Sequence, residues 1–272
     1  MSVNAPLDPS ANTDRFYTVI KSMREFDRTE VNGVIQTLLS LTPRDQCFIG
    51  TYYRILGNVE TLLRMDKAKD FQAIAMLARA LFELSVEIRL LETIPDGWGK
   101  MLAYSDFQKL RTANKIIGFK KKNPNADIDT ADYEIFVARN SAKVAGFSKS
   151  MWGGARNPKH WTGLNLGDRS EKLGPPFDQI YAADYSRLSW YVHPGLAGVI
   201  NVPAVTFIHL CAYAFHLAAT AYGESLLCII RVFNIAKANA NIESLLRLAK
   251  ELPFTDTPEQ VEILTRMRSA GR

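Results

Sequence analysis

The sequence predicts an all-α fold, a single helical bundle of about seven or eight helices. Apolar residues recur at helical spacing through several long segments. No segment alternates apolar and polar residues as a half-buried strand does, and no turn signal such as Asn-Gly joins two strand-like runs. A chain of 272 residues, 47% of them hydrophobic, can build one large core. We expect a flexible N-terminal arm over residues 1–14 and a single α-helical domain over residues 15–272.

The first helices are placed by their start signals and apolar stripes. Helical periodicity begins near Phe16. Thr42 followed by Pro43 is typical of a helix start, with Thr as N-cap and Pro at the first helical position. The apolar residues that follow predict a helix to residue 66. The strongest stripe of all predicts a helix over residues 70–91.

The rest of the chain is predicted to form further helices, with one long loop among them. A stretch rich in glycine and proline, residues 153–176, is predicted to be that loop. Further helices are predicted over residues 98–119, 130–149, 177–192, 203–235 and 241–251, and a last one from residue 257.

Composition and cysteine usage narrow the class of protein. The formal net charge of +5 permits an anionic partner such as nucleic acid but does not demand one. Cys47, Cys211 and Cys228 have no metal-binding spacing, and we expect reduced, buried thiols in a cytoplasmic protein without a signal peptide. Residues 204–223 are apolar over the length of a membrane span. A buried helix is favoured, because the flanks lack aromatic and basic anchors.

The segment from Tyr181 to Gly195 carries the candidate chemistry. Arg187 and His193 are separated by five residues, and Pro194 disfavours the α conformation at His193, which frees that side chain from the helix. An arginine fork binds phosphate, and a histidine exchanges a proton near neutral pH. The pair suits cleavage of RNA by its own 2′-hydroxyl, a reaction that needs no metal. A structural alternative stays open for this pair. In it, Arg187 pairs with Asp184 or Asp178, and His193 caps the helix C-terminus.

A charged row on the predicted helix 70–91 could support this pair. Arg79, Glu83 and Glu87 follow at a spacing of four and therefore lie in one row. We expect Glu83 to orient Arg187 or His193, or the row to be an interhelical ladder of ion pairs. The other supporting candidates, Asp184, Tyr185 and Ser189, are expected on or near the same surface as Arg187.

Other residues could contact a ligand. A histidine beside a tryptophan in the loop, His160 and Trp161, could line a substrate site with Trp161 stacking on a base; alternatively Trp161 anchors the loop. Tyr181 and Trp190 are further candidate contacts. Two histidines seven residues apart, His209 and His216, are read as hydrogen-bonded core residues because zinc sites on helices usually use a spacing of three or four. We expect no metal and no cofactor.

Three motifs resemble known proteins. They are Ala-Arg-Ala-Leu-Phe-Glu-Leu at 78–84, Lys-His-Trp-Thr-Gly at 159–163, and Tyr-x3-Tyr-x-Arg-Leu-Ser-x2-Val-His-Pro-Gly ending at 195. With them the chain is similar to an uncharacterised bacterial all-α family of unknown function. Arg-x5-His at a helix end also resembles the HEPN superfamily, whose active members are metal-independent ribonucleases. Those nucleases usually carry a polar residue after the arginine, where this chain has Leu188.

The HEPN resemblance implies roles and partners. Arg187 would bind the scissile phosphate and His193 would act as acid or base, in a homodimer that acts on RNA in bacterial defence or stress response. The alternative function is a non-enzymatic helical binding or sensor module for a small anionic ligand or a partner protein. It would use Tyr181, Tyr185, Arg187, Trp190 and His160, in a closed pocket around Arg187.

Overall fold

The computed structural model describes residues 9–67, 69–153, 158–192, 204–235, 242, 243 and 246. Within these residues all regular structure is helical, which confirms the predicted all-α bundle. If helices that are joined directly through a π turn are counted as one, this part of the chain has eight helices, which agrees with the predicted number of about seven or eight.

The helices follow one another in chain order. Their bounds are α1 Pro9–Phe26, α2 Asn32–Gln36, α3 Pro43–Leu62, α4 Phe71–Thr93, α5 Gly97–Lys122, α6 Ala131–Trp152, α7 Leu166–Leu173, α8 Phe177–Ile180, α9 Ser186–Val192 and α10 Ala204–Val232. A π turn over Asp27–Val31 joins α1 to α2, and a second over Tyr181–Tyr185 joins α8 to α9.

The start of α3 has the predicted cap. The Thr42 hydroxyl accepts a hydrogen bond from the backbone N–H of Asp45 at 3.1 Å, and the Asp45 carboxylate accepts one from the Thr42 N–H at 3.1 Å. Pro43 occupies the first turn. Two N–H groups that an α-helix leaves unsatisfied are therefore paired within four residues of sequence, which is why this boundary could be predicted.

The core is built around α10 and α4. α10 packs against α4 and α1, and α4 also packs on α3. Residues His209–Val232 are long and apolar enough to cross a membrane, but 94% of the most apolar stretch is buried inside the protein. The predicted buried helix is thereby confirmed. Cys47, Cys211 and Cys228 are free and buried, which agrees with the predicted buried thiols.

Several element bounds differ from the sequence prediction. α1 begins at Pro9 rather than near Phe16, so residues 9–14 of the predicted arm are helical. The predicted loop 153–176 contains α7, whose start is capped by Asn165 accepting from the Asp168 N–H at 3.0 Å. Residues 1–8 lie outside the described residues, as do most of the predicted helix 241–251 and all of the last one.

α5 and α6 form an antiparallel hairpin that extends from the bundle. α5 runs to Lys122, three residues beyond the predicted end of the helix at residue 119. α6 packs mainly against α5, and Val144 is the one buried residue among its 22. The hairpin therefore leaves most of its side chains in contact with solvent.

Candidate active site

The charged row of α4 meets three other parts of the chain. Arg79, Glu83 and Glu87 lie on one face at the expected spacing. Tyr185 from the second π turn contacts the N-terminal end of the row. The segment 158–165 and α7 cover its C-terminal end. The row is therefore an interhelical polar network.

Tyr185 bridges the first two members of the row. Arg79 Nη2 donates to the Tyr185 hydroxyl at 2.9 Å, and that hydroxyl donates to Glu83 Oε1 at 2.7 Å. The Arg79 guanidinium also lies over the Tyr185 ring, 4.7 Å from its centroid. Burial, together with the hydrogen bond to Glu83, raises the pKa of Tyr185 to about 12. The phenol therefore keeps its proton at neutral pH and remains a donor to Glu83.

Glu87 holds the loop and α7 onto α4. Its Oε2 lies 2.5 Å from His160 Nε2 and 3.6 Å from Arg169 Nη1, while its Oε1 accepts a hydrogen bond from the Trp161 indole. His160 Nδ1 lies 2.9 Å from the Thr162 hydroxyl. Burial lowers the pKa of Arg169, and the charges of Glu87 and Glu83 oppose that shift. One carboxylate thus makes two hydrogen bonds and an ion pair with side chains of the loop and α7.

Replacing Glu87 with alanine should lower the free energy of unfolding by about 1–3 kcal/mol, because partly buried donors lose their acceptor. Glu87→Gln keeps one acceptor oxygen for the indole and should lose less. Thermal unfolding of both variants, followed by tryptophan fluorescence, measures the difference. A Glu87→Ala protein as stable as the wild type would show that Glu87 does not hold the loop.

The arrangement corrects the expected role of Trp161. Its side chain is 1% exposed and packs in the core, so it does not face a substrate. Trp152 Nε1 donates to the Trp161 carbonyl at 2.8 Å, which fixes the backbone as well. The anchoring alternative is the one found. His160, predicted as a substrate contact, has both ring nitrogens engaged and a side chain that is 13% exposed.

Arg187 of α9 points in a different direction from Tyr185, which ends the π turn before α9. Its guanidinium carbon is 4.0 Å from the centroid of the Tyr213 ring of α10. Burial raises the pKa of the neighbouring Tyr191, and the Arg187 charge opposes that shift. Residues two apart point about 200° apart around a helix, so Tyr185 meets α4 while Arg187 meets α10. Glu83 accepts a hydrogen bond from Tyr185, and the expected orientation of Arg187 or His193 by Glu83 stays a prediction.

The second catalytic candidate, His193, lies outside the described residues, as does Pro194. The described part of α9 ends at Val192, directly before it. Leu188, where HEPN nucleases carry a polar residue, is fully buried. Its apolar character here follows from core packing.

Two of the supporting residues and the two further candidate contacts make their interactions within the fold. The Asp184 carboxylate, buried in the π turn, lies 2.7 Å from His216 Nδ1, which agrees with the predicted hydrogen-bonded core histidine. The Ser189 hydroxyl donates to the Tyr185 carbonyl at 2.8 Å, a local backbone contact. The Tyr181 ring stacks on the Tyr185 ring with centroids 5.4 Å apart. Trp190 is half-buried against the core.

Tyr104 of α5 belongs to the network although no sequence pattern singles it out. Its hydroxyl donates to the Lys159 carbonyl at 2.8 Å and accepts from Gln108 Nε2 at 2.6 Å. Its ring centroid lies 6.2 Å from that of His160. The contact joins residues 55 apart in sequence, so no local pattern could indicate it.

Within the described residues, no group of three or more His, Cys, Asp or Glu side chains is placed to hold a metal ion. A family model described as a family of unknown function, DUF5677, matches residues 46–202, which is more than half of the chain. That range contains the row of α4, the loop and α9. No curated protein and no solved structure matches the chain.

Proposed function

From the chemistry of the site, we propose that this member of the DUF5677 family, a family of unknown function, is a metal-independent endoribonuclease. Arg187 binds the scissile phosphate in this proposal, and His193 transfers the proton. A role in bacterial defence or stress response, and a homodimeric state, are parts of the same proposal.

The placement of Arg187 carries the proposal. Its guanidinium stacks on the Tyr213 ring, and a stacked guanidinium directs its N–H groups sideways, in the plane of the fork. That plane is the one in which a phosphate accepts two hydrogen bonds. Arg79 and Glu83 hold Tyr185, two residues earlier, so the helix that carries Arg187 is fixed against α4.

The chemistry needs one cation and proton transfer. A base removes the proton of the ribose 2′-hydroxyl, and the 2′-oxygen attacks phosphorus. The bond to the 5′-oxygen breaks, and an acid protonates that oxygen. The products are a 2′,3′-cyclic phosphate and a 5′-hydroxyl, so no water and no metal is consumed. His193 suits the proton transfer because imidazole titrates near neutral pH, and Pro194 after it disfavours continuation of α9.

The test compares wild type with Arg187→Ala and His193→Ala on structured and transfer RNAs in EDTA. We expect wild type to release fragments with 2′,3′-cyclic phosphate ends, and each variant to lose activity by about 100-fold or more, the usual contribution of such a group. Arg54→Ala, an exposed arginine of α3, is the matched control and should cleave normally.

The substrate offers a second control. The same oligonucleotide with 2′-O-methyl groups has no nucleophile and should remain intact. No cleavage by wild type, or equal cleavage by wild type and both site variants, would rule out the nuclease.

The alternative of a non-enzymatic anion-binding module is favoured by one observation. Arg187 is half-buried and its guanidinium lies over the Tyr213 ring, as expected for a residue that lines a closed ligand site. This module would bind a nucleoside phosphate through Arg187 and leave RNA intact. Titration calorimetry with nucleoside monophosphates, on wild type and Arg187→Ala, separates it from the nuclease.

A further inference from the structure

The net charge of the chain is concentrated in the α5–α6 hairpin. Residues 97–152 contain ten Lys or Arg and five Asp or Glu, a net charge of +5, which equals the formal net charge of the whole chain. The rest of the sequence is therefore electrically balanced. Since α6 packs mainly on α5, most of these charged side chains face solvent.

Three of the cations form one line on α5. Arg111, Lys115 and Lys122 follow at spacings of four and seven, which places them on one helix face. All three are exposed, and none forms an ion pair with a described residue. Gly118 occupies the position between Lys115 and Lys122, and a Cβ there would meet no atom within 4 Å. The line is thus an open, uninterrupted cationic surface, which we call the basic track.

The basic track leads toward the polar network of α4. Tyr104 and Gln108 occupy the two preceding positions of the same face. Tyr104 binds the loop that carries His160. From Tyr104 to Lys122 the face runs about 27 Å along the helix axis. The network then continues through Glu87 and Arg169 toward Tyr185.

We propose that the basic track binds the phosphodiester backbone of RNA. The choice of RNA rests on the proposed function, whereas the charge distribution is independent evidence. Cations in a straight line match a linear polyanion, whose condensed counterions they would displace. An anionic membrane fits less well, because the end of the hairpin carries exposed acids: Asp127, Asp129, Asp132 and Glu134.

A pair of substitutions at Gly118 tests the track without removing a side chain. Gly118→Glu and Gly118→Lys change helix propensity alike but differ in charge. Binding of a 2′-O-methyl RNA oligomer to the full chain in EDTA is measured by fluorescence anisotropy. We expect Gly118→Glu to weaken binding about tenfold and Gly118→Lys to strengthen it. The same changes at Gly57, an exposed glycine of α3 whose Cβ would also meet nothing within 4 Å, should leave the affinity near wild type.

A neutral variant measures the number of phosphate contacts. With Arg111, Lys115 and Lys122 all changed to glutamine, the slope of log K against log salt should fall by about 2, since each contact to a single strand contributes about 0.7. Two results overturn the proposal. One is equal effects of the Gly118 and Gly57 pairs. The other is a triple variant that keeps RNA binding and loses binding to phosphatidylserine vesicles. Because the oligomer cannot be cleaved, failure of the nuclease proposal would not alter these readouts.

Discussion

Replacing Asp27 with alanine should lower the free energy of unfolding by about 3–5 kcal/mol, the cost of breaking a buried charged network. Asp27 lies in the first π turn and is completely buried. Its carboxylate accepts hydrogen bonds from Tyr222 at 2.7 Å, from Arg24 at 3.2 Å and from the Tyr52 hydroxyl. Without it, two phenols buried in the core have no acceptor.

Urea unfolding followed by circular dichroism measures the loss. Glu25→Ala is the matched control on the same helix, because Glu25 is exposed and pairs only with exposed Arg28 among the described residues. An exposed pair contributes about 0–1 kcal/mol, so the control should unfold almost as wild type does. If Asp27→Ala and Glu25→Ala unfold at the same urea concentration, the buried network does not stabilise the fold as its geometry indicates.

Replacing Trp161 with alanine should have a comparable effect, about 3–5 kcal/mol, because a fully buried indole leaves a large cavity. The ring also fills the space beside Gly97, where a Cβ would lie 3.3 Å from its Cη2 atom. Its N–H would no longer reach Glu87. The loss should lower the melting temperature by about 2–4 °C per kcal/mol.

Trp161→Phe separates the two contributions. It retains most of the ring and removes the N–H donor, so we expect a smaller loss than for Trp161→Ala. Differential scanning calorimetry on both variants tests this. Equal melting temperatures for Trp161→Ala and wild type would show that the loop is not anchored through this side chain.

The parts of the fold that could be predicted are those decided by neighbouring residues. The cap at Thr42 is complete within four residues, and the stripe of α4 repeats over the whole helix. α7 was missed because a helix of eight residues gives too short a pattern, and the glycines and prolines around it indicate a loop. Its cap, Asn165 with Asp168, was the available signal.

The candidate site was predicted less completely, because its contacts join distant segments. The row of Arg79, Glu83 and Glu87 follows from spacing alone. Its partners do not, since Tyr185 is about a hundred residues further along the chain. Predicting that Tyr185 meets Glu83 requires the rotation of α9 about its axis. That rotation depends on the π turn before it, which no residue pattern indicated.

The second π turn also means that the length of this segment is as important as its residues. A π turn holds one more residue than an α turn. If these same residues formed ordinary α turns instead, everything after them would be rotated by about 100°, the angle that one residue adds in an α-helix. Tyr185 would then leave Glu83, and Arg187 would leave Tyr213, although neither residue had been changed. The π turn between α8 and α9 therefore determines the direction in which Arg187 points.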